Sequence, residues 1–238
     1  AIPVITSAFC DNHLISFSEI FALYLLVWSP DLWAMVTFPA GKDLPFDEEK
    51  QILFALEKAE LQKFMAGLGQ VRRLLANLPS YMIFDDHDVT DDWNFSAAWE
   101  QAAYTHPISK RMIGNALMAY WICQGWGNAP EHFGIGFWKK VSAYSQNPNR
   151  ENHELWIQHL LKFEHWHYTV PCSPKLVVLD TRTRRWRSER KLSQPSGLMD
   201  WEALMEMQQE IMNQEAVILV SPAPIFGLKL VESLQRFM

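Results

Sequence analysis

The chain of 238 residues has no uninterrupted apolar run of the kind that crosses a bilayer as a helix, which takes about 18 residues or more. Its best stretch, Ile20 to Trp28, runs straight into Pro30 and Asp31 and reads as an amphipathic helix. A disulfide framework is missing as well. Cys10, Cys123 and Cys172 are an odd number at wide, unpatterned spacing, which suits reduced thiols and a cytoplasmic setting. Positive charge is scarce: 21 Lys and Arg stand against 27 Asp and Glu, a net charge of −6. That excludes a broadly basic face for nucleic acid. No repeat, low-complexity tract or secretory signal is visible, so neither nucleic acid nor membrane is expected as a partner. The chain opens on Ala1 and closes on LQRFM without a polar tail, as an excised segment would.

What is present is a globular composition, 49% hydrophobic and 20% charged, of a length that suits one domain or a large part of one. Four apolar stripes have helical period. They are Phe64-Leu68-Val71-Leu75-Leu78, stopped by Pro79; Ile113-Ala116-Leu117-Tyr120-Trp121, ended by Gly125 and Gly127; Leu155-Trp156-His159-Leu160-Phe163; and Trp201-Leu204-Met205-Gln208-Ile211-Met212, interrupted only by Gln208. Gly67 and Gly69 weaken the first, where a break is possible. The buried face of the fourth is expected to account for Met199, Met205, Met207 and Met212, and most of the 11 tryptophans are expected in the core.

Three short apolar runs suit strands buried on both faces: YMIF at 81–84, LVVL at 176–179 and AVILV at 216–220. A further strand over His165–Val170 would pair through PCSP with LVVL, with His165 and His167 on one face and Trp166 and Tyr168 on the other. The fold class is therefore α/β. The three apolar runs end on Asp85-Asp86, Asp180 and Ser221, and such carboxyl ends are where open α/β sheets collect ligands. Residues 125–150, with Gly, Pro and Asn among aromatics, read as a long surface excursion.

The densest chemistry is YMIFDDHDVTDDW, residues 81–93, where five aspartates and one histidine follow an apolar run. Crowded carboxylates repel one another unless water, cations or basic side chains answer them. Composition leaves two readings open. One is a solvated loop in which Asp91 or Asp92 caps the next helix. The other is a metal site, because carboxylate oxygen suits hard cations and imidazole can ligate or carry a proton. An EF-hand loop is excluded, since its turn glycine and distal glutamate are missing.

YMIFDDHDVTDDWN resembles the strand–loop signature of PhoD-like metallophosphatases, a branch of the calcineurin-type superfamily. KRMIGNALMAYWICQGWGN (110–128), KLVVLDTRTRR (175–185) and AVILVSPAPIFG (216–227) resemble segments that follow in the same order in that family. The resemblance implies a layered sheet sandwich flanked by helices, and hydrolysis of phosphoric mono- or diesters at a metal pair of Fe, Ca, Mn or Zn. It implies that Asp86 is a metal ligand, with Asp85 a second ligand or its support. It implies that His87 protonates the leaving oxygen or stabilises charge, and that Asp88 orients His87. In LDTRTRR, Arg182 is the candidate phosphate fork among Arg182, Arg184, Arg185 and Arg187.

The flanking family motifs are absent. The chain has no Gly-Asp pair, and neither His165-Trp166-His167 nor Asp11-Asn12-His13 stands in the family context of the missing ligands. The expectation is that residues 1–238 are the central part of a single PhoD-like domain, with metal binding weak or absent in this chain alone. Such a piece would expose sheet edges and apolar helix faces and self-associate. The alternative is a non-catalytic binding domain that keeps the fold.

Overall fold

The computed structural model describes residues 4–8 and 10–225. The last two residues of the AVILVSPAPIFG segment lie outside this range. The described residues form two compact units, one of Ser18–Ser80 and one that combines those up to Phe17 with those from Tyr81 on.

The smaller unit is built on two helices, α1 (Phe17–Trp28) and α2 (Glu48–Leu75). Helix α2 starts where Asp47 accepts the Lys50 N–H at 2.8 Å. It runs unbroken through Gly67 and Gly69. Between the helices, Trp33 stacks near Phe38 and meets Phe64 edge-on, while the Lys58 ammonium sits 5.5 Å from the Phe38 ring centroid. Of the expected stripe on α2, Leu68 is buried and Phe64, Val71 and Leu78 are exposed.

Among the described residues, the larger unit combines a small sheet with six α-helices. They are α3 (Ala97–Thr105), α4 (Pro107–Tyr120), α5 (Trp126–Asn128), α6 (Ile135–Gln146), α7 (Arg150–Leu160) and α8 (Trp201–Ile211). Helix α4 supplies the centre. Met112, Ile113, Ala116 and Leu117 are buried along it, and α7 packs across it with Trp156, Ile157 and Leu160. Each such side chain, taken fully out of water, stabilises by about 1.5–3 kcal/mol. The two helices approach closely at Gly114, where an added Cβ would lie 2.4 Å from Ile157 Cγ2 and 2.9 Å from Ile157 Cβ.

Residues 125–150 lie mostly at the surface, but they are helical and not a loop. The glycines that suggested a loop are absorbed into a π-turn at Trp121–Gly125 and into α5, and α6 follows. Phe137 of α6 is buried between Trp121 and Trp156, with ring centroids at 5.1 and 4.9 Å.

The sheet has the order β1 (Tyr168–Val170), β2 (Lys175–Val178), β3 (Val217–Val220). β1 runs antiparallel to β2 with Tyr168 opposite Val178, as the PCSP turn requires, and β3 runs parallel to β2. Alternation along β2 sends Val177 into a cluster with Met199 and Ala203, and Val178 into one with Ala129 and Tyr168. The fold is thus mixed α/β, as its apolar patterning implies.

Two expectations fail. YMIF forms no ladder. The Asn128 side chain takes up both polar groups of Met82, accepting its N–H at 3.4 Å and donating to its carbonyl at 2.7 Å. Tyr168 and Tyr120 donate to the same carbonyl, at 3.0 and 3.3 Å. A strand partner has no group left there to pair with. On α8, the face turned to the sheet carries Ala203, Met207 and Ile211. Trp201, Leu204, Met205 and Met212 are exposed instead, because the small Ala203 is what lets the helix sit close to β2.

Candidate functional site

The acidic loop begins where YMIF ends. Asp85 precedes a single 3-10 turn, Asp86–Asp88, and its N–H donates to Asp88 Oδ2 at 2.8 Å. Asp88 is therefore spent on closing the turn and does not hold His87. The His87 ring bonds through Nδ1 to Asp91 Oδ1 at 2.7 Å. Asp91 is itself fixed from behind: its N–H donates to Ser7 Oγ at 3.2 Å, and its Oδ2 accepts the Ala8 N–H at 3.3 Å.

Neither Asp91 nor Asp92 caps the next helix. Ser96 does so for α3, accepting the Trp99 N–H at 3.2 Å. Asp92 turns the backbone, with φ of 58°, and donates its N–H to Asp86 Oδ2 at 3.1 Å. A left-handed aspartate is tolerated where a glycine would otherwise be needed.

Arg182 comes to this loop from the far end of β2. Its Nε donates to Asp85 Oδ1 at 2.7 Å, its Nη2 bonds the same oxygen, and Nη2 lies 3.2 Å from Asp86 Oδ1. The arginine is buried, so the fork reaches the carboxylates and not bulk water. Asp180 holds it in place from below. The buried Asp180 carboxylate accepts the backbone N–H groups of Arg182 at 2.9 Å and Thr183 at 2.8 Å. From the loop side, Asn94 donates to the Arg182 carbonyl at 2.9 Å and accepts the Tyr104 hydroxyl at 2.6 Å. Two of the three apolar runs thus bring their terminal carboxylates to one arginine. Ser221, beyond β3, bonds locally to the Ala223 carbonyl at 2.5 Å.

The electrostatics follow from these contacts. Burial opposes the charge on Asp85, but the Asp86 N–H and the Arg182 guanidinium outweigh it and hold the carboxyl below its ordinary value. Burial raises the Asp180 carboxyl despite its hydrogen bonds to Thr183 and Arg182. The hydrogen bond to Asp91, and then the charge of Asp86, raise the His87 imidazole above its ordinary value.

A raised histidine pKa stabilises the fold fully below the ordinary value near 6.5, and that stabilisation is lost as pH climbs through the folded value. In the metal-free chain, the His87 Cε1–H resonance is expected to titrate with a midpoint above 6.5. Asp91→Asn should bring that midpoint down more than Asp88→Asn does. A larger effect of Asp88→Asn would return the orienting role to that residue.

Asp85, Asp86 and His87 each place a ligand atom within 4.8 Å of the other two. Two carboxylates and an imidazole fit one hard or borderline cation, whose remaining positions water would complete. The bond at Nδ1 leaves His87 Nε2 as the available donor, the usual arrangement for a ligating histidine. A second ion would need further donors.

Sequence reasoning placed Asp85, Asp86, His87 and Arg182 in one site, and they do meet. It missed Asp91, whose spacing from His87 acquires meaning only once the turn between them is known. His13, weighed as a ligand, bonds its ring Nδ1 to the Leu14 carbonyl at 2.8 Å. No helix among the described residues is long and apolar enough to cross a membrane. No family model, curated protein or solved structure matches this chain, so the chemistry of the site rests on its own residues.

Proposed function

We propose that the chain is the central part of a PhoD-like, metal-dependent phosphoric ester hydrolase, acting on mono- or diesters, with the Asp85-Asp86-His87 turn as its reactive edge. The observation that supports this most is the convergence of those three donors, within 4.8 Å, opposite a buried guanidinium fork. A divalent ion bound there would polarise a phosphoryl oxygen and acidify a water molecule. The chain's own groups do the rest. His87, kept basic by Asp91, offers a proton to the leaving oxygen. Arg182, once its carboxylate partners are engaged elsewhere, presents two donors to phosphoryl oxygens.

With His87 kept for proton transfer, the Asp85 and Asp86 carboxylates are too few for the metal pair of the resemblance, so ligands beyond this cluster are required and binding by this chain alone should be weak. The free thiols Cys10, Cys123 and Cys172 are consistent with a cytoplasmic setting. The exposed apolar faces of α8 and β3 agree with a chain that self-associates or is covered by more protein.

One observation favours a second reading, a non-catalytic binding domain. Arg182 already neutralises Asp85 and Asp86, as a purely structural ion-pair network would.

Metal content separates the two. A longer protein that contains this chain is expected to carry Fe, Ca, Mn or Zn that Asp86→Ala releases. His87→Ala should cut its kcat on aryl phosphates about 10²–10⁴-fold while leaving the metal in place. A longer protein without metal by elemental analysis would sink the hydrolase reading. Retained activity in His87→Ala would sink only the role given to that histidine.

A further inference from the structure

Three imidazoles meet at a second place, on the approach to β1. His132 closes the 3-10 turn Pro130–His132 after α5, while His165 and His167 flank the buried Trp166 just before β1. Their ring centroids form a nearly equilateral triangle, 6.1 Å for His132–His165, 6.2 Å for His132–His167 and 6.1 Å for His165–His167. The ring planes cross at 63°, 54° and 59° in the same order. Three ligands set as a propeller around one axis, as in a tetrahedral site, have planes about 60° apart.

The point equidistant from the rings lies about 3.5 Å from each centroid. Imidazoles ligating zinc at about 2.0–2.1 Å would put it about 3.2 Å away. A tetrahedral site, with the ion out of the plane of the rings, would need them to contract by about 0.5 Å each.

In the metal-free chain the nitrogens are engaged outside the triangle. His132 Nδ1 bonds the His165 carbonyl at 3.0 Å, and His167 Nε2 lies 3.7 Å from Glu206 Oε2. The first bond is an asset. A ligating histidine commonly donates its other ring N–H to a backbone carbonyl, and this one fixes the tautomer that leaves Nε2 for an ion. The three rings do not yet bring a nitrogen each within 4.8 Å of one another, and rotation about χ2, a broad torsion in histidine, is the movement by which an ion would draw the remaining donors inward. His165 is exposed, which leaves one side of the triangle open to water.

We propose that His132, His165 and His167 form a three-imidazole site for a borderline divalent cation, with Zn²⁺ the preferred occupant and water in the open position. Imidazole donors select zinc, cobalt, nickel or copper over calcium and magnesium, the opposite of the oxygen-rich acidic loop. The site shares no ligand with that loop and stands independently of the hydrolase reading.

Cobalt titration of the metal-stripped full chain tests the site, with visible absorption as the readout and Zn²⁺ as competitor. The wild type is expected to develop intense tetrahedral Co²⁺ bands that Zn²⁺ abolishes. His132→Ala and His165→Ala should each weaken binding at least about tenfold, since even loss of a ligand's supporting partner costs that much. Asp86→Ala should leave the bands and their midpoint unchanged. Near-UV circular dichroism checks that the variants fold, and His132→Gln serves if His132→Ala does not. The proposal is overturned if the wild type shows no such bands, if the His132→Ala/His165→Ala double variant keeps wild-type affinity, or if Asp86→Ala alone abolishes binding.

Discussion

Arg182→Ala is expected to destabilise the larger unit by about 2–4 kcal/mol at neutral pH, because removing one partner of a buried ion pair leaves the other charge uncompensated. The guanidinium is 10% exposed, and it is shared between Asp85 and Asp86, which are 35% and 14% exposed. The lower end of the range allows for solvent screening at Asp85. Without the arginine, the two carboxylates face each other and Asp88 across a short turn. The sign of the pH dependence follows from Asp85, whose pKa is held below the ordinary 3.8. A depressed carboxyl contributes stability above its unfolded pKa, and that contribution is lost as pH falls through the folded value. Denaturant melts of wild type and variant should therefore differ fully at pH 7 and converge below about pH 4. The same variant also separates the two functional readings. If the loop is a metal site, millimolar Mn²⁺ or Ca²⁺ should restore part of the lost stability, because the ion takes the place of the guanidinium. If added ions restore nothing, the cluster is a structural network and the binding-domain reading gains.

Gly114→Ala is the second large effect, and its sign runs against helix propensity. In an exposed helix interior alanine is more stable than glycine by about 1 kcal/mol. Here the new methyl would sit 2.4 Å from Ile157 Cγ2, 2.6 Å from Cγ1 and 2.9 Å from Cβ. Rotating the isoleucine cannot relieve the last contact, since Cβ moves only with the backbone of α7. Overpacking of this kind costs about 1–3 kcal/mol and occasionally more, so after the propensity gain a net loss of about 1–2 kcal/mol in urea denaturation is expected. Ile157→Ala removes two of the three clashing carbons. The Gly114→Ala/Ile157→Ala pair should therefore be more stable than the sum of the single changes implies. A stabilised Gly114→Ala would show that α4 and α7 do not approach as closely as described.

The parts of this fold legible in sequence are those written in local pattern. The stripe on α4, the apolar runs of β2 and β3 and the turn joining β1 to β2 all appear where period and punctuation place them. Failures come where a partner distant in sequence decides the outcome. YMIF has strand composition, but Asn128 occupies the backbone groups a ladder needs. On α8 the larger residues Trp201, Leu204 and Met205 suggest the buried face, while the helix docks through Ala203, Met207 and Ile211. Glycine and asparagine in 125–128 read as loop, yet a π-turn accommodates them inside a continuous helical path.

The candidate site divides the same way. A dense Asp-Asp-His-Asp run is conspicuous in any sequence, so its identity as a cluster was readable. The bond from Arg182 to Asp85 spans 97 residues and is invisible to spacing. The Asp91 carboxylate on His87 depends on the Ser7 hydroxyl and the Ala8 N–H, more than 80 residues earlier in the chain.

The carbonyl of Met82, which accepts from Asn128, Tyr168 and Tyr120, has a consequence for motion. Those donors belong to α5, β1 and α4, so the segment leading into the acidic loop is moored to each of them. Peeling the loop away at its base means breaking bonds to the sheet edge and the central helix, so the Met82 amide, held by Asn128, is expected to exchange more slowly than those of the exposed tip at His87 and Asp88. An acidic turn with an exposed tip is, at its root, tied into the core.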